Sequence, residues 1–185
     1  FFNAPERGSV TGNIAMLPGA SREDTVEQIE ELTRAVETVA AGYEAEYGVS
    51  PLDFVLTEIG GNTGRPLATA VSKTPDELGG ITIELIDPDD RPYSSFAFVG
   101  RVQQEVQKLP MTETLSFRGW RSGPGGDALD VSFYGTDIAA LKSASEALKA
   151  AVAAYPEVSA VEDDLSYDRI EYILELTDRG AALGF

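Results

Sequence analysis

A strand followed by a Pro-Gly turn and a long amphipathic helix is the pattern that most constrains this fold. It occupies Gly8–Val39, where Ser21 is suited to cap a helix and Asp24 follows in its first turn. Apolar residues then recur at spacings of three or four, so one stripe of the helix is expected to be buried. A similar strand-helix unit recurs at Leu129–Tyr155. Each helix therefore needs a sheet against which to pack.

Between these two units the sequence predicts three more strands and a second helix. The helix is expected to begin near Pro92, a residue type suited to the first helical position, and to end before Pro110. The order β-α-β-β-α-β is typical of a ferredoxin-like fold, with two helices on one face of an antiparallel sheet, so the predicted fold class is α+β. The three predicted strands are Leu52–Ile59, Ile81–Ile86 and Thr112–Phe117.

The rest of the chain repeats only part of this order. A Gly/Pro-rich hinge at residues 122–127 is expected to separate a first domain, residues 1–121, from a second, residues 128–185. The second domain is predicted to be an incomplete βαββ unit on an antiparallel or mixed sheet. Because its last helix and strand are missing and no Met begins the chain, we expect a piece of a longer protein. Its predicted strands are Leu129–Tyr134, Val158–Val161 and Tyr167–Leu176.

Composition excludes several kinds of chemistry. The chain has no Cys and no His, which removes thiol nucleophiles, histidine bases and histidine-ligated metals. Only carboxylate, Lys or Tyr chemistry would remain, so a carboxylate-based hydrolase that uses Glu58 stays open as an alternative. We predict no catalytic residue, no metal site and no cofactor. The net charge is −17 and no cluster of Lys and Arg is present, so nucleic acid is not an expected partner. No apolar run is long enough to span a membrane.

The segment Gly60–Gly80 is the strongest functional candidate in the sequence. It is too long for a hairpin turn, and long loops inside compact domains are usually functional or disordered. Two interpretations stay open: a mobile gate or binding loop, and a disordered insertion. Glu58 precedes it at a strand end, where a lone carboxylate is most often exposed. The acidic run Glu162–Asp164 is predicted to be a solvated hairpin turn.

Several short motifs occur in a characteristic order along the chain. They are the Pro-Gly turn and acidic helix start within Phe1–Thr25, the Gly-Gly strand start at 79–83, the Gly-Pro-Gly-Gly run at 123–126, the Tyr-Pro-Glu-Val run at 155–158, and Asp178-Arg179. Together they resemble the periplasmic porter domain, in the C-terminal half, of resistance–nodulation–division (RND) efflux transporters of the acriflavine-resistance type.

The resemblance implies the first porter subdomain of that half and the start of the second. The whole protein would be a proton-driven multidrug efflux pump of the bacterial inner membrane, with this region facing the periplasm. It would be a homotrimer, with a periplasmic adaptor and an outer-membrane channel as partners. Transport of hydrophobic or amphiphilic compounds would proceed by conformational cycling, so no enzyme activity is expected. The alternative is a free-standing ferredoxin-like module that binds a ligand or regulates a partner.

The resemblance also implies a switch loop and a transport cleft. Multidrug members carry several Phe in this loop, whereas Gly60–Gly80 has none, so aliphatic or amphiphilic substrates are expected instead of planar aromatic ones. By position, the switch-loop residues would be Gly60, Gly61, Asn62, Gly64, Arg65 and Gly79. The cleft residues would be Gly12, Ile14, Leu56, Glu58, Ile83, Leu129, Val131 and Phe133.

Overall fold

One antiparallel sheet carries the first part of the chain. The computed structural model describes residues 7–119, 129–155, 158, 160–167, 177 and 179. The elements are β1 Ser9–Met16, α1 Arg22–Tyr47, β2 Leu52–Ile59, β3 Leu78–Leu85, α2 Ser95–Glu105, β4 Thr112–Gly119 and α3 Ile138–Val152. The sheet order is β2-β3-β1-β4, with every neighbouring pair antiparallel. This order is that of a ferredoxin-like sheet, so the predicted α+β class is confirmed.

Helix α1 begins at the predicted capping box. The Ser21 hydroxyl accepts a hydrogen bond from the Asp24 N–H, at 3.2 Å, and the Asp24 carboxylate accepts one from the Ser21 N–H, at 2.7 Å. Together these bonds satisfy backbone donors that the start of a helix leaves without partners. The helix continues past the predicted end at Val39 and stops at Gly48, whose φ of 80° is a left-handed conformation that glycine adopts easily.

The hydrophobic core lies between the two helices and one face of the sheet. Side chains alternate along a strand, so every second residue of the central strands faces the helices. Burying each large apolar side chain here contributes roughly 1.5–3 kcal/mol. Core residues from the strands include Val10, Ile14, Ile81, Ile83 and Phe117, and those from the helices include Ile29, Leu32, Val36, Phe98 and Val102.

Helix α2 begins later than predicted. Residues Pro88–Asp90 form a short 3-10 helix, in which the Asp87 side chain accepts a hydrogen bond from the Asp89 N–H at 2.9 Å. The α-helix itself starts after Ser94, whose hydroxyl accepts from the Ala97 N–H at 3.1 Å. The side-chain cap at Ser94, and not the proline at position 92, therefore sets the start of α2.

In the part of the chain after residue 128, the predicted helix is confirmed and the first predicted strand is wrong. Helix α3 is capped by Asp137, whose carboxylate accepts from the Ala140 N–H at 3.2 Å. Leu129–Tyr134 forms no strand, and neither do the described residues of Val158–Val161. A strand needs a partner backbone for its N–H and C=O groups, and the described residues supply none to these segments. The hinge 122–127 and Tyr167–Leu176, apart from Tyr167, lie outside the described residues.

The domain boundary at residues 122–127 stays a prediction. Among the helices in the described part of the chain, none is both long and apolar enough to cross a lipid bilayer.

Candidate functional site: the open face of the sheet

The sheet face opposite the helix-packed core is the candidate functional site, and we call it the open face. Its residues alternate with the core residues along each strand. The strand registers place them in rows across the sheet, such as Leu56 opposite Thr82, Thr82 opposite Thr11 and Thr11 opposite Arg118. Residues on the open face include Thr11, Asn13, Phe54, Leu56, Glu58, Gly80, Thr82, Glu84, Ser116 and Arg118.

Two exposed apolar side chains lie on this face at the edge strand β2. Phe54 is 49% exposed and Leu56 is 63% exposed, and we call this pair the apolar strip. Phe54 pairs across the sheet with Glu84, and Glu58 follows Leu56 on the same face of the strand. The strip is therefore an apolar surface with a carboxylate at each side. Such a surface suits an amphiphilic molecule, which has one apolar and one polar part.

Residues 60–77, which we call the crossing loop, run over another part of the open face. Asn13 binds the loop with both ends of its amide. Its Nδ2 donates to the carbonyls of Thr63, at 2.9 Å, and Arg65, at 3.0 Å, and its Oδ1 accepts from the Thr63 N–H at 2.8 Å. Asn62, which lies in the loop, donates from its Nδ2 to the backbone carbonyls of Ile14 and Gly79 in the sheet. These bonds give the loop backbone the partners that a strand would otherwise supply.

Close packing holds the middle of the crossing loop. Leu67 is buried against Ala15 and Leu78 in a small second hydrophobic cluster on the open face. The Thr63 and Thr82 hydroxyls are hydrogen-bonded at 2.8 Å. A Cβ at Gly80 would lie 2.9 Å from the Thr63 backbone nitrogen, so only glycine lets the loop come this close.

A buried ion pair anchors the far end of the crossing loop. Lys73 donates from Nζ to the Met16 carbonyl, at 2.7 Å, and to the Glu113 carboxylate, and both charged side chains are 1% exposed. The register of β4 shifts between the partners of Ala15 and Met16, which leaves Glu113 unpaired in the ladder and able to reach Lys73. Losing either member of such a pair leaves a buried charge uncompensated.

These contacts change the interpretation of Gly60–Gly80. The alternative of a disordered insertion is wrong, because hydrogen bonds hold both ends of the loop to the sheet and Leu67 in its middle is buried. Gly79 is not a loop residue: it lies in β3 under α1, where a Cβ would be 3.0 Å from Ile29 Cδ1. The other predicted switch-loop residues, Gly60, Gly61, Asn62, Gly64 and Arg65, do lie in the crossing loop. That the loop acts as a gate stays a prediction.

The predicted cleft residues do not share one surface. Gly12, Ile14 and Ile83 face the helices, and a Cβ at Gly12 would lie 2.8 Å from Ile81 Cγ2. Their assignment to a cleft is therefore wrong, because side chains alternate and these strand positions fall on the core side. Only Leu56 and Glu58 lie on the open face. The exposed residues Leu129, Val131 and Phe133 lie on the segment before α3.

The acidic run at 162–164 is not a solvated turn, which corrects that prediction. Glu162 accepts hydrogen bonds from the Ala68 N–H of the crossing loop, at 3.0 Å, and from the Arg118 guanidinium on the open face. Asp163 instead faces α3, where it accepts from Lys149 at 2.8 Å and from Lys142 at 3.0 Å. The Glu162 and Asp163 side chains are 11% and 12% exposed. Only Asp164 is exposed.

The charges around Asp163 stabilise one another. Burial alone would raise the pKa of Asp163, but hydrogen bonds from Lys149 and Lys142 outweigh it and hold the pKa below its usual value. Burial would likewise lower the pKa of Lys149, yet hydrogen bonds to Asp163 and Glu146 raise it. Lys108 shows the opposite balance, because burial and the nearby charge of Lys149 lower its pKa.

A cavity of about 620 Å³ lies between α3 and residues 165–167 and is a weaker candidate site. Lys142 is the cation in its lining, but its ammonium already donates to Asp163, to the Leu165 carbonyl at 2.6 Å and lies 3.1 Å from Glu146. An ammonium has three donors, so these partners leave none for a ligand. The open face, with its exposed apolar strip, is the better candidate.

Sequence reasoning missed Phe54, Thr82 and Glu162. The first two could have been found from strand parity, because Phe54 lies two residues before Leu56 and Thr82 lies between two core residues. No local signal distinguishes Glu162 from its acidic neighbours.

Comparison of the chain with known protein families, with curated proteins and with solved structures finds no match.

Proposed function

We propose that this chain is a substrate-handling porter module of an RND-type transporter, in the bacterial inner membrane and facing the periplasm. One observation carries the proposal: a ferredoxin-like sheet has one helix-packed face and one amphiphilic open face, crossed by the loop between β2 and β3. The order of the sequence motifs supports the same assignment. The module would belong to a homotrimer that works with a periplasmic adaptor and an outer-membrane channel.

The open face would bind substrate reversibly, with no covalent step. The apolar strip would cover the hydrophobic part of a substrate, which is worth roughly 1.5–3 kcal/mol for each large side chain buried. The Thr82 hydroxyl and the carboxylates of Glu58 and Glu84 would face its polar part. Movement of the module would follow from proton flow through the membrane part of the pump.

The first test is the parent gene. If the proposal is right, the codons before Phe1 and after Phe185 encode transmembrane helices. Flanking segments without any apolar run of membrane-spanning length would overturn the transporter assignment.

The second test measures binding to the open face. The aliphatic amphiphile dodecyltrimethylammonium serves as the probe in isothermal titration calorimetry, and Leu56→Ser should weaken its binding about 10-fold, the loss expected for one buried apolar side chain. Val71→Ser is the matched control, because Val71 is also an exposed aliphatic residue, 93% accessible, but lies on the crossing loop outside the apolar strip. Equal binding to both variants contradicts a site at the strip.

The packed crossing loop favours a second candidate, a ligand-binding module in which this loop does not move. The Thr63 and Thr82 hydroxyls are 2.8 Å apart, and the chain has no Cys, so Thr63→Cys with Thr82→Cys allows a single disulfide to lock the loop. In a gated pump, oxidation should stop transport and reduction should restore it. A static module would bind the probe equally in both redox states and show no transport.

A further inference from the structure

Residues 160–167, which we call the bridging segment, connect three parts of the molecule through two adjacent carboxylates. Glu162 contacts the first domain at two places: the backbone of the crossing loop and the end of β4. Its Oε2 accepts from the Ala68 N–H at 3.0 Å, and its Oε1 accepts from Arg118 and from the Ser116 hydroxyl at 3.4 Å. One side chain of the second domain thus contacts both the crossing loop and the open face.

Asp163, the next residue, attaches the same segment to α3. Its carboxylate accepts from Lys142, Lys149 and the Ser145 hydroxyl, the last at 3.1 Å. Lys142 also donates to the Leu165 carbonyl at 2.6 Å, so the segment is bound to the helix at both Asp163 and Leu165. The bridging segment therefore moves with α3 unless these charged hydrogen bonds break.

The contact at Ala68 matters because of its position in the loop. Ala68 begins the short 3-10 helix Ala68–Ser72, and the N–H groups at a helix start have no partner within the helix. Glu162 supplies that partner from a residue 94 positions later in the chain. A second contact, between the hydroxyls of Ser72 and Ser166, joins the other end of the same short helix to the bridging segment.

We propose that Glu162 is a coupling residue that ties the position of the crossing loop to α3 and the second domain. When the second domain moves away from the sheet, Glu162 is withdrawn, the start of the short helix loses its acceptor, and the β4 side of the open face is uncovered. The proposal goes beyond the binding function above, because the coupling depends only on protein contacts and holds whatever molecule the open face binds.

Amide hydrogen exchange of Ala68, followed by NMR on the full 185-residue chain, tests the proposal. Glu162→Ala removes the acceptor and should speed exchange of the Ala68 N–H by roughly 10-fold to 100-fold, the effect of losing a hydrogen bond to a charged group. Glu162→Gln keeps the shape of the side chain and should give a smaller increase. Core amides of β1 and β3 in the same spectra report whether each variant is folded.

The deciding variant is Asp163→Asn, since Asp163 contacts α3 and not the crossing loop. If the segment couples the two, this change should also speed exchange at Ala68. Glu105→Gln is the control, because Glu105 pairs with Arg34 at 2.7 Å on the helix layer and should leave Ala68 unchanged. A response of Ala68 to Glu162→Ala but not to Asp163→Asn would overturn the coupling and leave Glu162 as a local helix cap. Unchanged exchange in both variants would overturn it as well.

Discussion

Helices α1 and α3 share an amphipathic sequence pattern but are held in place by different forces. Helix α1 buries Leu32 and Val36 completely in the hydrophobic core. Helix α3 leaves its apolar residues Leu141 and Leu148 only half-buried, and the one buried residue along its length is Lys142. Residues 7–119 are therefore stabilised mainly by apolar burial, and the described residues after 128 mainly by charged hydrogen bonds around Asp163.

This difference shows what an apolar stripe determines. The periodicity specifies that a segment is helical and which side of it is apolar. Whether that side becomes buried depends on a neighbouring sheet, which α1 finds mainly in β3 and β2.

The largest contrast is expected from matched leucine truncations in the two helices. Leu32→Ala should reduce the free energy of unfolding by about 2–5 kcal/mol, because it opens a cavity in a closed core. Leu148→Ala should cost less than about 1 kcal/mol, because the half-buried site loses less contact. Urea denaturation of both variants measures the difference. Equal losses would mean that α3 is packed as tightly as α1.

Removing the charge of Asp163 should have the opposite effect to the leucine truncations: it should destabilise α3 and leave α1 unchanged. Asp163→Asn weakens the hydrogen bonds from Lys142 and Lys149, and should destabilise α3 and the bridging segment by about 1–3 kcal/mol. Exchange of α1 core amides should not change. Asp164→Asn is the matched control, since Asp164 is an exposed neighbour. Similar exchange rates of α3 amides in both variants would mean that the ionic network around Asp163 is not the main stabiliser of α3.

Acid should loosen the second domain before the first. The pKa of Asp163 is lowered in the folded protein, so its ionised form contributes stability above the unfolded pKa of about 3.9. That contribution is lost as the pH falls through the lower folded pKa. Glu146, whose pKa is also lowered, acts in the same direction. The protection factors of α3 amides, which correct for the intrinsic pH dependence of exchange, should therefore fall below about pH 4 and stay constant from about pH 5 to pH 8; loosening near pH 6 would contradict these shifts.

The smallest contrast is expected at the helix caps. Ser21→Ala removes the capping box of α1 and should lower the free energy of global unfolding by about 1 kcal/mol. Asp137→Ala removes the cap of α3 and should increase exchange in the first turn of α3 alone. A global loss of stability from the second change would show that α3 unfolds together with the sheet.

The fold of the first domain was largely predictable because its signals are local. The Ser21 cap, the alternation at Ile81–Ile86 and the apolar periods of α1 and α2 each act within a few residues. Strand β2 was predicted with its observed bounds. The strand at Leu129–Tyr134 was wrongly predicted for the complementary reason: alternation describes a segment able to pair, and pairing also requires a second backbone.

The candidate site was less predictable because it depends on parity and on distant contacts. Five residues of the sheet were predicted to line a cleft. In the structure, Leu56 and Glu58 lie on the open face, whereas Gly12, Ile14 and Ile83 face the core. A shift of one residue along a strand moves a side chain to the other face of the sheet, so a site inferred by position is easily misassigned.

Local sequence patterns were enough to identify most helices and strands of residues 7–119, and composition alone excludes thiol and imidazole chemistry. The folded structure was needed to show that the crossing loop packs on the open face and that Glu162 and Asp163 contact different parts of the molecule. The groups involved in these contacts are far apart along the chain. The bonds from Asn13 to Thr63 and from Ala68 to Glu162 span 50 and 94 residues, and no local pattern records a partner that folding alone brings near.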